Sequence, residues 1–195
     1  MLTSTDTPVA CAAASSASRK TLREVNALGR EDFVILFGSL FERSPWIAAA
    51  AWPSRPWRTR GALHQAFCDV LRRSTGAEQL ALIRAHPDLV GRAALAGTLS
   101  KESTAEQRAA GLDPDALTSN EIEQFTAANA AYAARFEFPF VICARDNRKA
   151  SILAGLRDRL RNDREAEIAT ALQEIERIAW HRLNDVVDDN NGDRP

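Results

Sequence analysis

Apolar residues recur at helical spacing almost throughout this chain of 195 residues, and this pattern limits the fold more than any other feature. Phe33, Leu36, Phe37, Leu40 and Phe41 lie three or four positions apart, so they share one face of a helix. The same spacing recurs at 63–71, 122–136, 152–160 and 168–186. Hydrophobic residues make up 45% of the chain, which is enough for one core without disulfides or metal. The sequence therefore predicts an all-α fold, a single-domain bundle of roughly eight helices.

One short segment does not fit the helical pattern. Residues 138–143 read Phe-Pro-Phe-Val-Ile-Cys, a composition typical of a strand, but no second strand is evident to pair with it. We therefore predict a buried extended segment near 138–143 that belongs to no sheet. Its backbone N–H and C=O groups then need partners from side chains, water or a ligand.

The two ends of the chain differ in composition from the helical part. Residues 1–19 are rich in Ala, Ser and Thr, and residues 188–195 are almost entirely polar. These features predict disordered tails on either side of one folded domain at 20–187. No run of about 18 apolar residues occurs, so the sequence predicts no membrane span.

Charge and cysteine content narrow the class of partner. The 25 basic and 26 acidic residues nearly cancel, so no single-sign field favours nucleic acid or an anionic membrane. A small molecule or a protein is the expected partner.

Cys11, Cys68 and Cys143 are odd in number and widely spaced, which favours a reducing, cytoplasmic setting. The histidines form neither an HExxH motif nor an i, i+4 pair, so we predict no metal site.

His86 stands directly before Pro87, at the end of a predicted helix over 77–85. A proline ring pushes the preceding residue out of the helical region, so His86 is expected to be extended and to project from a junction. The partial negative charge of the helix end would favour the imidazolium form and raise the pKa of His86. Two interpretations follow, a surface histidine that caps the last carbonyl groups or a functional group.

The segment that follows contains a pattern typical of a helix start. Ser103 and Glu106 are spaced as in a capping box, in which a serine hydroxyl and a glutamate carboxylate bind free backbone N–H groups. A purely structural role is therefore one interpretation of both residues. A helix start also presents free amides and the positive end of a dipole, which favours a site for an anionic or carbonyl-rich ligand.

Arg182 falls near the middle of the apolar stripe of the last helix, over 168–186. A buried guanidinium needs paired acceptors, because its desolvation costs several kcal/mol. The sequence leaves two alternatives open, a structural ion pair with another helix or an arginine that binds an anion.

Four motifs together resemble a known family. They are His-Pro-Asp-Leu at 86–89, Ser-Thr-Ala-Glu-Gln at 103–107 with Gly-Leu at 111–112, Phe-Pro-Phe-Val-Ile-Cys-Ala-Arg at 138–145, and the helix at 175–183 that ends in Arg-Leu. In this order and spacing they resemble the 2-oxo-4-hydroxy-4-carboxy-5-ureidoimidazoline (OHCU) decarboxylases of urate breakdown, over about residues 28–187. The resemblance implies an all-helical fold, usually a homodimer, that uses no metal or organic cofactor.

The resemblance also implies a reaction and a set of site residues. OHCU decarboxylases remove the substrate's carboxylate and protonate the product on one face to give (S)-allantoin. By motif position, His86 would be the acid/base group, and Glu106 would lie hydrogen-bonded nearby to orient it or polarise the ring. The substrate-binding residues would be Pro87, Ser103, Gln107, Phe140, Val141, Ile142, Cys143 and Arg182.

A different class of function is also compatible with the motifs taken singly. The chain could be a non-catalytic helical interaction domain, or a family relative that has lost activity, with His86, Glu106 and Arg182 in structural roles. The enzyme interpretation requires these three residues to line one cavity although they are far apart in sequence. Their arrangement in space therefore decides between the two.

Overall fold

Helices account for most of residues 19–188, the part of the chain that the computed structural model describes. Within this range there are ten α-helices and three 3₁₀ turns, and the predicted all-α class is confirmed. The α-helices are α1 (Leu22–Ala27), α2 (Arg30–Phe37), α3 (Pro45–Ala51), α4 (Arg60–Arg73), α5 (Gly76–Ala85), α6 (Arg92–Leu95), α7 (Lys101–Ala109), α8 (Ser119–Phe136), α9 (Lys149–Arg159) and α10 (Arg164–Val186). The spacing of apolar residues does not reveal α1, because its six residues complete fewer than two turns.

Side chains fix where several of these helices begin. At the start of α8, Thr118 and Glu121 form a capping box, in which each side chain binds the other residue's backbone N–H. Thr75 and Glu78 form the same arrangement at the start of α5. Both caps are local, since the two residues of each are three positions apart in the sequence.

A small parallel sheet joins the two ends of the described chain. The strand β1 (Lys20–Thr21) pairs with β2 (Val187–Asp188), and Arg60 Nη1 donates to Val187 O at 3.0 Å. Asp188, which composition assigns to the C-terminal tail, is therefore part of this sheet. The rest of the predicted tails, at 1–18 and 189–195, lies outside the described residues.

The core contains two groups of aromatic side chains. Phe33 and Phe37 on α2 pack against Phe67 on α4 with tilted rings, whose centroids are 4.7 to 6.0 Å apart. The ring centroids of Tyr132 on α8 and Phe140 are 5.3 Å apart. This contact holds the segment 138–143 inside the molecule. The long helix α10 packs against α4 and α5 and carries buried residues along its length. No helix within 19–188 is long and apolar enough to cross a membrane.

The prediction of an extended segment without a strand partner at 138–143 is confirmed. Side chains supply partners for part of its backbone. Val141 O accepts from Arg159 Nη1 at 2.8 Å, and Cys143 N–H donates to Glu174 Oε2 at 2.8 Å. Helices α9 and α10 thus hold a segment that no sheet stabilises.

Candidate active site

One cavity brings together residues from four distant parts of the sequence. His86, Glu106 and Arg182 all line it, which meets the geometric requirement of the enzyme interpretation. Of the predicted site residues, all except Cys143 line the cavity. The lining residues are His86, Pro87, Leu89, Ser103, Glu106, Gln107, Phe140, Val141, Ile142, Ala144, Ile178 and Arg182.

His86 lies at the helix end that the sequence predicts. It follows the last residue of α5 in extended conformation, with φ −73° and ψ 138°, as Pro87 requires. Its Nδ1 lies 2.9 Å from Leu82 O, and because a carbonyl oxygen only accepts, Nδ1 carries the hydrogen. In the neutral imidazole the second nitrogen, Nε2, is therefore the proton acceptor.

Burial determines the charge of His86. His86 is 8% exposed, and burial lowers its pKa to about 4, although the bond to Leu82 O and the charge of Glu42 act in the opposite direction. The sequence cannot say whether the helix end or desolvation sets this pKa, and in the structure desolvation is the larger effect. His86 is consequently neutral at pH 7.

The predicted capping box at Ser103 and Glu106 is also wrong. Helix α7 starts at Lys101, and its N-cap is Ser100, whose Oγ accepts from Ser103 N at 3.1 Å. Since Ser100 supplies the cap three residues earlier, Ser103, Glu106 and Gln107 are inside the helix. At positions i, i+3 and i+4 they share one buried face, which points at the cavity.

Arg182 forms a buried ion pair. Its Nε and Nη2 donate to the two carboxylate oxygens of Glu106, both at 2.8 Å, and Nη1 donates to Ser39 O at 3.2 Å. Burial lowers the pKa of Arg182, but the carboxylates of Glu106 and Glu42 outweigh this effect and keep the pKa above its usual value. Only 4% of Arg182 is exposed. Its contacts are therefore those of a structural ion pair, which is one of the two alternatives that the sequence leaves open.

Glu106 does not make the predicted contact with His86. Both of its carboxylate oxygens accept from Arg182, and among the described residues no hydrogen bond joins Glu106 to His86. The planar guanidinium matches a carboxylate at two points, which an imidazole does not. Glu106 therefore faces the same cavity as His86 without touching it.

Glu42 belongs to this cluster and does not belong to any of the four motifs. Its Oε1 accepts from Ser103 Oγ at 2.8 Å and from Arg182 Nη2 at 3.0 Å. Burial raises the pKa of Glu42, but Arg182 and Ser103 outweigh this and hold the pKa below its usual value. The sequence offers one signal for Glu42, an acidic residue directly after the apolar stripe that ends at Phe41.

Gln107 offers an unused hydrogen-bond donor at the cavity. Its Oε1 accepts from Val90 N at 3.1 Å, which fixes the orientation of the amide, and its buried Nε2 has no partner among the described residues.

Val90 has a φ of +53°, an unfavourable value for a branched residue. Asn129 Nδ2 donates to Leu89 O at 2.8 Å and holds the same turn.

The segment 140–142 contributes backbone groups. Within residues 19–188, neither Val141 N–H nor Ile142 N–H has a protein acceptor, and both residues line the cavity. Cys143 stands apart from the cavity lining, and burial raises the pKa of its thiol to about 12. Its sulfur lies within 4.8 Å of a side-chain nitrogen of His181 and a carboxylate oxygen of Asp146. Among the described residues, these three side chains are close enough together to bind a metal ion.

Comparison with known proteins identifies the family. The family model described as OHCU decarboxylase matches residues 26–184 of the chain. The chain belongs to the OHCU decarboxylase family. The four motifs that the sequence pattern singles out all lie within the matched region.

Members of the family from distant organisms resemble the chain over most of its length. The 2-oxo-4-hydroxy-4-carboxy-5-ureidoimidazoline decarboxylase of Amia calva is 40% identical over 166 residues, which is 85% of this chain and 94% of the relative. The protein of the same name from Mus musculus is 40% identical over 167 residues, 84% of this chain and 91% of the relative.

A solved structure has a similar fold. The crystal structure of an (S)-allantoin synthase superposes with a TM-score of 0.68 and 26% sequence identity. The match covers 87% of this chain and 54% of the solved chain, so the present chain spans about half the length of that protein.

Proposed function

We propose that this chain converts OHCU to (S)-allantoin by removing the carboxylate of OHCU, without a metal or an organic cofactor. Relatives that match over most of the chain bear the name OHCU decarboxylase. The observation that carries the proposal is the convergence of four sequence motifs on one cavity. A helical interaction domain has no need for this convergence.

The chemistry requires a proton to be moved with stereochemical control. Carbon 4 of OHCU bears a hydroxyl and the carboxylate, and loss of CO₂ leaves an electron pair that the conjugated ring delocalises. Loss of the hydroxyl proton and protonation of carbon 5 give the carbonyl group and the stereocentre of allantoin. One further proton, from solvent, is taken up by the ring nitrogen that receives the electron pair, because the carboxylate leaves as CO₂ and carries no proton.

His86 is proposed to relay this proton. A neutral imidazole whose Nδ1–H is bound to Leu82 O has Nε2 free to accept the hydroxyl proton. The imidazolium formed in this way returns the proton to carbon 5 on the face next to the ring. The charge of Glu42 stabilises this transient imidazolium.

The remaining predicted residues are proposed to hold the substrate. Gln107 Nε2 and the N–H groups of Val141 and Ile142 are donors for its carbonyl oxygens. Arg182 and Glu106 form a bidentate ion pair that borders the cavity beside the reacting carbons. The other members of the set are Pro87, which fixes His86, and Ser103 and Phe140, which line the cavity. Cys143 is proposed to act indirectly, because its N–H is bound to Glu174 and holds the end of the segment 140–142 in place.

Freshly prepared OHCU tests the proposal. We expect the wild-type protein to accelerate OHCU loss and to produce the circular dichroism signal of (S)-allantoin. His86→Asn should retain the fold and lose a factor of about 10² to 10⁴ in rate, the usual contribution of a positioned acid/base group. Wild-type rates in His86→Asn, or racemic product from the wild-type protein, would contradict the proposal. Activity unchanged after dialysis against a chelator is the expected result for a cofactor-independent site.

Assembly and location complete the proposal. We infer a homodimer, as is usual for the family that the motifs resemble, and light scattering coupled to size-exclusion chromatography measures its mass directly. A reducing, cytoplasmic location is supported by Cys68 and Cys143, which are both free and buried. A monomer mass, or fractionation outside the cytoplasm, would contradict these two points.

A further inference from the structure

Glu42 lies between α2 and α3, behind the residues that line the cavity. Its side chain is 13% exposed, and its contacts run to Arg182 and Ser103. Removal of a carboxylate from water costs free energy unless charged or hydroxyl groups bind it. The position of Glu42 is therefore expected to serve a purpose beyond packing. Arg182 already has a bidentate carboxylate partner in Glu106, and Glu42 is therefore not required to neutralise it.

The first effect of Glu42 is on the Ser103 hydroxyl. Ser103 Oγ donates its hydrogen to Glu42 Oε1 at 2.8 Å. A hydroxyl has one hydrogen and two lone pairs, and one lone pair already accepts from Arg182 Nη2 at 3.5 Å. The remaining lone pair of the Ser103 oxygen can only accept from a group in the cavity. The ureido and ring N–H groups of OHCU are hydrogen-bond donors of the kind that this oxygen can bind.

The second effect is on the charge of the cluster. Two carboxylates, Glu42 and Glu106, surround the one guanidinium of Arg182. Arg145 Nε lies 3.9 Å from Glu106, but its guanidinium is already paired with Asp185. The cluster beside the cavity thus carries an excess of negative charge, which favours a cation that forms next to it.

The cation in question is the imidazolium of His86. Glu42 favours this form and Arg182 opposes it, while Glu106 lines the same cavity. On the other side of His86, the charged residues Arg84, Asp88 and Glu137 line the neighbouring surface. Of the charges that act on His86, Glu42 is the one that supports protonation and is itself fixed by two hydrogen bonds.

We propose that Glu42 is a positioning residue for the decarboxylation, which turns the Ser103 oxygen into an acceptor for a substrate N–H and stabilises the protonated His86 formed during turnover. The inference rests on the proposed function. Glu42 acts through Ser103 and His86 and does not line the cavity.

Glu42→Gln tests the proposal, because it removes the charge and keeps the shape. We expect kcat/KM to fall about tenfold to a hundredfold, the range for loss of a hydrogen bond to a charged group. Removal of a negative charge disfavours imidazolium, so the acid limb of the kcat profile should move to lower pH. The NMR titration of His86 should move in the same direction.

Matched variants separate this role from general stability. Glu31→Gln removes an exposed carboxylate from α2 and should leave kcat/KM and the titration unchanged. Glu42→Asp retains the charge, so its His86 titration should lie closer to wild type than that of Glu42→Gln. In the Ser103→Ala background, Glu42→Gln should cost less activity than in wild type, because the hydroxyl contact is already absent.

Two outcomes would overturn the inference. One is wild-type kcat/KM in Glu42→Gln, and the other is a reduced rate with an unshifted His86 titration, which would indicate a structural role alone. If the wild-type protein does not act on OHCU, the proposed function fails, whereas the His86 titration in Glu42→Gln still tests the electrostatic contact.

Discussion

The two ring nitrogens of His86 have different environments, and this difference sets what the residue can do. Nδ1–H is bound to the backbone of the helix that precedes it, and the whole ring is buried. The sequence predicts the position of His86 because Pro87 ends the helix locally. It does not predict the charge, since that depends on burial and on Glu42 and Arg182, which both lie more than forty positions away in the sequence.

The low pKa of His86 leads to a prediction for stability against pH. Unfolded His86 titrates near 6.5 and folded His86 near 4, so below pH 6.5 the unfolded state binds a proton that the folded state excludes. Between pH 7 and pH 5 this group should reduce the free energy of unfolding by about 2 kcal/mol. Urea unfolding at both pH values measures the change.

His86→Asn is the control for this prediction, because asparagine does not titrate. The loss of stability between pH 7 and pH 5 should be smaller in the variant by the same amount, with other groups unaffected. Parallel pH dependence in the two proteins would show that His86 is solvated and protonated in the folded state.

At the scale of elements, the start of α7 determines which residues reach the cavity. A start at Lys101 places Ser103, Glu106 and Gln107 on its buried face. The local pattern favours the later serine, because Ser103 and Glu106 match a capping box and Ser100 has no acidic residue three positions on. The choice is made by tertiary contacts, since Glu42 and Arg182 bind the side chains that a capping box would use.

A pair of alanine substitutions separates the two serines. Ser100→Ala removes the N-cap of α7 and should lower stability by about 1 kcal/mol with little change in kcat/KM. Ser103→Ala should do the opposite, since Ser103 has no capping role and its hydroxyl faces Glu42 and the cavity. Thermal unfolding and OHCU turnover on both variants give the comparison. Equal losses of stability and activity in both would mean that the helix start is misassigned.

The segment 138–143 shows where prediction from sequence ends. Its composition and the lack of a partner strand predict an extended, buried path, and that much is confirmed. The groups that hold it, Arg159 on α9 and Glu174 on α10, follow it in sequence by 18 and 31 residues. Their charged side chains look like ordinary surface residues in the sequence, because helical periodicity describes the apolar face of a helix and not its polar contacts.

At the scale of the whole molecule, one buried ionic network ties the site segment to three helices. Glu167 on α10 is fully buried and accepts from Arg159 Nε on α9 at 2.8 Å, and Tyr132 on α8 donates to the same carboxylate. Arg159 also donates to Val141 O. The network therefore couples the global packing of the helices to the backbone that borders the cavity.

Arg159→Met should test this coupling. It leaves the Glu167 carboxylate buried without its cation, which typically costs about 3 to 5 kcal/mol of stability, and it also frees Val141 O. Because the helices share one hydrophobic core, we expect a single unfolding transition at lower urea concentration, together with a lower kcat/KM from the displaced 138–143 segment. Arg161→Met, whose partner Asp158 is exposed, should change stability by less than about 0.5 kcal/mol. A double variant provides a further check. Adding Glu167→Gln to Arg159→Met should restore part of the stability, because it removes the unpaired charge. A further loss of stability would mean that Tyr132 and Asn162 stabilise Glu167 without Arg159.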